Sequence, residues 1–177
     1  MGRPKRAADG GLVYHVTNRA NAWMTIFEDD EDYAAFEQVL EQAVAHRHST
    51  GSGHVYQGRF KSFPVPEDEH FYTVCRYVER NALRANLAPG AQRWRWGCLH
   101  RWKQGTAKEK SLLAAWPLPR LAGWVEHVNG PQTEAELATL RRCVQRGRPF
   151  GAGAWCDQIV RRLGLPTSSA ASPSGRW

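Results

Sequence analysis

Apolar and polar side chains alternate along Gly11-Leu-Val-Tyr-His-Val-Thr-Asn18, a run rich in β-branched and aromatic types, and this period of two predicts a strand. Asn18-Arg-Ala-Asn21 then turns the chain. Tyr33, Phe36, Val39, Leu40 and Ala43 recur at helical spacing behind an acidic first turn, which predicts an amphipathic helix from Asp30 to about Ala45. A polar, Gly-rich connector fills 46–53. A second strand is expected over 55–65, bent at Gly58 and ended by Pro64 and Pro66. Glu67, Asp68 and Glu69 open a helix that should run to about Asn86, with Phe71, Val74, Cys75, Val78, Ala82 and Ala85 as its apolar stripe. Tyr77, Arg80, Asn81 and Arg84 fall on a different face, at i, i+3, i+4 and i+7. Pro89-Gly90 breaks this pattern, and 94–128 reads as irregular and Trp-rich, with Pro117 and Pro119 in a loop. Thr133-Glu-Ala-Glu136 is a capping box; the helix it starts should turn Leu137, Leu140 and Val144 inward and Arg141, Arg142 and Gln145 outward. After the turn Arg146-Gly-Arg-Pro-Phe-Gly151, Trp155, Ile159 and Leu163 predict a last helix that Gly164 ends. From Pro166 onward Ser, Ala, Pro and Gly dominate, the composition of a disordered tail. The predicted class is α+β.

Composition narrows the partners. At 177 residues the chain can bury one core with at most a small annex. No apolar run approaches the ~20 residues that span a bilayer, so no membrane is expected. Cys75, Cys98, Cys143 and Cys156 are widely spaced with no C-x-x-C pair, which argues against a zinc site and fits reduced thiols in the cytoplasm. The net charge of +7 is unevenly placed. Residues 141–177 hold seven Arg against one Asp, and Arg3, Lys5 and Arg6 stand against Asp9 at the other end. Residues 28–41 are strongly acidic. Basic ends around a near-neutral middle point to a polyanionic partner, nucleic acid above all.

The candidate chemistry lies in 54–86. Tyr56, Arg59, Phe60 and Lys61 mix stacking faces with phosphate-binding cations, the combination that holds single-stranded nucleic acid. On the following helix Arg80 and Arg84 could hold a phosphate against Tyr77, and Asn81 offers an amide oxygen to a hard cation such as Mg²⁺. The bland reading is that Tyr77 is a half-buried amphipathic residue with its hydroxyl in water. The last two helices could place Arg141 and Arg142 on DNA. Arg146-Gly-Arg148-Pro149 and Gly2-Arg-Pro-Lys-Arg6 each resemble the core of an AT-hook, and each could equally be a solvated turn.

Taken together and in order, Gly11-Leu-Val-Tyr-His-Val-Thr-Asn-Arg19, Tyr56-Gln-Gly-Arg-Phe-Lys-Ser62, Arg76-Tyr-Val-Glu-Arg-Asn-Ala-Leu-Arg-Ala85 and Trp94-Arg-Trp96 resemble the IS200-like transposases, most closely their REP-associated tyrosine transposase branch. The resemblance covers most of 3–164. It implies a ferredoxin-like module in a dimeric, metal-dependent single-strand DNA endonuclease and strand transferase that recognises hairpin DNA. In such enzymes a helix tyrosine attacks the DNA backbone and becomes linked to its 5′ phosphate. A His-hydrophobic-His motif and a polar residue four positions after the tyrosine hold Mg²⁺ or Mn²⁺. Tyr77 matches the nucleophile and Asn81 the third ligand, and Arg19, Arg59, Lys61 and Arg76 fall in the matching segments.

The His-hydrophobic-His motif is missing. His46-Arg47-His48 is a poor substitute, because its middle residue is Arg and it lies in a Gly/Ser-rich connector. The simplest account is an internal deletion of about 40 residues, carrying two strands, the histidine pair and a helix. The expected organisation is then a basic arm (1–10), a truncated IS200-like module (11–90), a Trp-rich and helical basic extension (91–165) and a disordered tail (166–177). The favoured expectation is a DNA-binding derivative with impaired catalysis. The alternatives are an active endonuclease and strand transferase using Tyr77, a basic helical DNA-binding module unrelated to transposition, and a chain too thin-cored to fold stably.

Overall fold

The computed structural model describes residues 9–17, 27–45 and 61–165. The predicted elements at 55–60, the connector, the tail, most of the basic arm, and Arg19, His46, His48, His54, Tyr56 and Arg59 lie outside the described residues. The class is α+β, mostly helical, with one small antiparallel sheet.

Strand β1 (Val13–Thr17) pairs antiparallel with β2 (Lys61–Val65), in a register that sets Val13 against Val65, His15 against Phe63 and Thr17 against Lys61. Helix α1 (Asp30–Ala45) lies between them in sequence, with the bounds its periodicity predicts. Helix α2 (Glu69–Glu79) begins at Asp68, whose carboxylate accepts from the His70 N–H at 2.8 Å. A short α3 (Asn81–Arg84) continues it almost without a break: Arg80 N–H still reaches Arg76 O at 3.0 Å, and Arg84 N–H reaches Arg80 O at 2.9 Å. Asn86 takes a left-handed φ of 56° and ends the run.

The segment expected to be irregular is in fact built from short helices. After a 3₁₀ turn (Ala91–Arg93) come α4 (Cys98–Gln104), α5 (Ala107–Ser111) and α6 (Trp124–Asn129). Each spans about two turns or fewer, too short to display an apolar period, which is why pattern alone misses them. The capping box of Thr106 and Glu109 that starts α5 was a readable sign. The last two helices, α7 (Glu134–Arg146) and α8 (Gly153–Arg162), match expectation, down to the capping box at Thr133 and the left-handed Gly147 and Gly164.

Helix α2 is held from two sides. Phe71 and Val74 pack with Phe63, Val65 and Leu140, the last from α7. A second apolar cluster joins Ala91, Leu99, Trp124 and Val128, and both clusters share Tyr72, Cys75 and Trp116. This double contact rotates α2 away from the predicted stripe. Val78 is 39 % exposed and Ala85 is exposed, whereas Tyr77 packs against the first cluster. Val39 of α1 is likewise turned outward.

At the C-terminal end of α2 sits a buried carboxylate. Glu79 Oε2 accepts from Trp124 Nε1 at 2.6 Å, and its Oε1 lies 3.4 Å from Arg120 Nη1 and 3.3 Å from the Cys98 thiol that donates to it. The Arg120 guanidinium is sandwiched between Trp116 at 3.6 Å and Trp102 at 4.3 Å. Burial and the neighbouring carboxylate push the Cys75 thiol up to about 12.

Candidate nucleic-acid interface

Tyr77 and Asn81 sit at the α2–α3 junction, where the continued turn keeps them on one side of the helix. The Arg84 guanidinium covers the Tyr77 ring at 4.4 Å, and its Nη2 donates to Asn81 Oδ1. On the inner side, the Tyr77 ring lies 6.3 Å from that of His15, which is itself stacked on Phe63 at 4.8 Å. His15 is buried, and desolvation holds its imidazole below the ordinary value. Sequence reasoning passed over it. It faces inward on β1 with Val13 and Thr17, a choice of face that the strand's alternation alone does not make.

Arg84 is a cation with an unsatisfied donor here. Its Nη1 is buried without a hydrogen-bond partner among the described residues. Burial lowers its pKa, Arg141 and Arg80 lower it further, and Tyr77 opposes them. Its charged neighbours are thus cations, and no carboxylate pairs with it among the described residues. Arg141 reaches it from α7, and Lys61 joins the same region from β2, with its Nζ donating to Gln145 O at 3.0 Å. Arg142 and Arg146 are exposed on α7, and Arg148 follows Gly147, its N–H closing the helix onto Cys143 O at 3.2 Å. Arg84 thus covers Tyr77 within the repulsive field of Arg141, whose Nη1 lies 3.6 Å from Glu134 Oε2, and Lys61 is anchored on the same helix α7.

Other expected phosphate ligands are placed differently. Arg76 Nη2 donates to Gly130 O at 3.1 Å and to Pro131 O at 2.9 Å, while Arg80 Nη1 donates to Val128 O at 2.9 Å and also to Asn129 O. Both guanidinium groups cap the negative end of α6, where backbone carbonyls lack helical partners. They hold α2 to α6. Arg162 pairs with Asp9 at 3.1 Å and ties α8 to the start of β1.

A hard divalent cation does not fit the described residues at Tyr77. Asn81 Oδ1 already accepts from a guanidinium, which puts positive charge where Mg²⁺ or Mn²⁺ would sit. The group of ligand-type side chains near enough to share an ion is Asp68, Glu69 and His70, among the described residues. It starts α2, about 12 Å of helix rise before Tyr77. There Asp68 caps the helix, accepting from His70 N–H, and lies 2.8 Å from His70 Nδ1. No step through a metal is derived from this arrangement. Among the described residues no helix is long and apolar enough to cross a membrane. No family profile, curated protein or solved structure matches the chain.

Proposed function

We propose that this chain is a DNA-binding protein of the IS200-like, REP-associated tyrosine transposase type, which holds single-stranded or hairpin DNA and is impaired in cutting it. The observation that carries the reading is Arg84: a partly buried guanidinium with an unpartnered Nη1, set among Arg80 and Arg141 over the face of Tyr77. A phosphate beside the accessible part of this guanidinium supplies the counter-charge its neighbours do not and relieves the like-charge crowding. Arg141 and Lys61 extend the contact along a strand, and the net charge of +7 favours encounter. The small antiparallel sheet is compatible with a ferredoxin-like module reduced to its first and last strands. Impairment follows from Asn81, which is bonded to Arg84, and from the absent histidine motif.

The test is fluorescence anisotropy with a labelled hairpin carrying a single-stranded 5′ extension. A site of three cations should give a salt slope of about −2, at ~0.7 per phosphate for single strands. Arg84→Gln should flatten that slope by about 0.7 and weaken binding at low salt. An unchanged slope rules out Arg84 as a phosphate ligand. With Mn²⁺ added, no covalent protein–DNA adduct is expected. An adduct formed by the native chain and lost in Tyr77→Phe would establish the active strand transferase instead.

A further inference from the structure

Within the near-neutral middle of the chain, opposite charges are folded against each other. Residues 28–41 carry seven Asp and Glu and no Lys or Arg, whereas 91–111 carry six Lys and Arg and one Glu. The structure lays the first on the second. Asp30 Oδ2 is 3.8 Å from Arg95 Nη1, and Asp30 Oδ1 accepts from Trp96 Nε1 at 3.2 Å. Glu37 pairs with Arg101, and Glu41 Oε2 is 3.0 Å from Lys108 Nζ. Tyr33 stacks on Trp96 at 5.3 Å and meets the edge of Trp94 at 5.5 Å. Among the described residues these side chains hold helix α1, whose backbone approaches its neighbours less closely than α2 approaches α6 or β2 approaches α7.

We infer that the face under α1, formed by Trp94, Arg95, Trp96, Arg101 and Lys108, is a second surface for single-stranded DNA, and that α1 closes it by occupying the places of a strand. Its carboxylates stand at the cations as phosphates would. Tyr33 stands on Trp96 as an unpaired base would, and Arg95 already lies over the same indole at 4.5 Å. Alternating cations and indoles are what a single strand requires, since every base offers a stacking face and every linkage a charge. The ion pairs at Arg95 and Lys108 are exposed on the cation side. Exposed pairs are individually weak and screened by salt, so a competing polyanion can displace them. Duplex DNA, whose bases are already stacked, offers nothing to Trp96.

This surface is separate from Arg84, and its test is made where that site is removed. In an Arg84→Gln/Arg141→Gln background of the full chain, Asp30→Asn, Glu37→Gln and Glu41→Gln are combined and the affinity for a labelled oligo-dT is measured. The expected result is binding tightened by about tenfold, accompanied by quenching of Trp fluorescence. Neutralising Glu67, Glu126 and Asp157 instead removes as much negative charge away from α1 and should tighten binding far less. Adding Trp96→Ala and Lys108→Gln to the loosened protein should abolish the gain. Equal tightening in the control triple variant, equal tightening towards duplex DNA, or no gain in a protein that still melts cooperatively overturns the proposal. If the triple variant does not fold, Glu41→Gln alone, which removes one exposed pair, should tighten oligo-dT binding by about twofold. No change there overturns it as well.

Discussion

Glu79 shows how much a single side chain can organise here. Its carboxylate is buried and satisfied by Trp124, Arg120 and Cys98, each from a different part of the chain. A carboxylate in that position is stabilising only while its partners stay. Arg120→Ala should therefore destabilise the protein by about 3–5 kcal/mol, measured by urea denaturation, because it leaves a buried charge unpaired and empties the space between Trp102 and Trp116. A loss under ~1 kcal/mol would mean that Trp124 alone satisfies Glu79. Nothing local marks this residue. Glu79 lies inside the Arg76–Ala85 motif and reads there as one more polar position. Its role exists only because α2, α4 and α6 converge on it. Arg76 and Arg80 carry the same lesson, since their guanidinium groups bond carbonyls at the end of α6, about fifty residues away in sequence.

At the scale of elements, legibility follows length and local chemistry. Helices α1, α7 and α8 are long enough to display a period, and their bounds follow from side chains three and four residues apart. In α7 the Thr133 hydroxyl accepts from Glu136 N–H at 3.3 Å, while Glu136 Oε2 accepts from Thr133 N–H at 2.9 Å. Thr133→Ala breaks the first of these bonds and should cost about 1 kcal/mol, read as a melting temperature lower by about 2–4 °C. Because α7 carries Arg141 and buries Leu140 against β2, the same change should weaken DNA binding only through loss of folded protein. Weakened binding at temperatures where the variant is fully folded would mean that the cap positions Arg141 directly. The faces of β1 and α2 were harder to read. On β1, alternation leaves open which side turns inward, and the structure buries His15 while leaving Val16 58 % exposed. On α2, contact from two sides turns Tyr77 towards the core and Val78 out.

The molecule as a whole couples these parts through two joined apolar clusters, so its stability should report on titrating groups far from one another. Burial lowers the pKa of His15, and burial together with Arg76 lowers that of His127. Between each lowered value and the ordinary imidazole value of ~6.5, the unfolded chain binds a proton that the folded chain refuses. This stabilisation is complete above ~6.5 and is lost as the pH falls towards the folded values. The melting temperature should therefore drop on going from about pH 7 to pH 5, and His15→Gln should make that drop shallower. An identical profile in the variant would show that His15 takes up its proton without cost in the fold.

The sequence by itself determined the α+β class, the long helices α1, α7 and α8, the cap at Thr133, the basic balance and the one-turn spacing of Tyr77 and Asn81. All of these depend on residues a few positions apart, or on sums over the chain. Only the tertiary structure decided which cations remain available. It spent Arg76 and Arg80 on α6, closed the acidic α1 over the tryptophan-rich segment, and brought Arg84 beside Arg141 and over Tyr77. The physical reason is that a charge acquires its role from its nearest partners in space. For these residues the partners lie from a few helical turns to more than fifty positions away, at distances that no local pattern encodes.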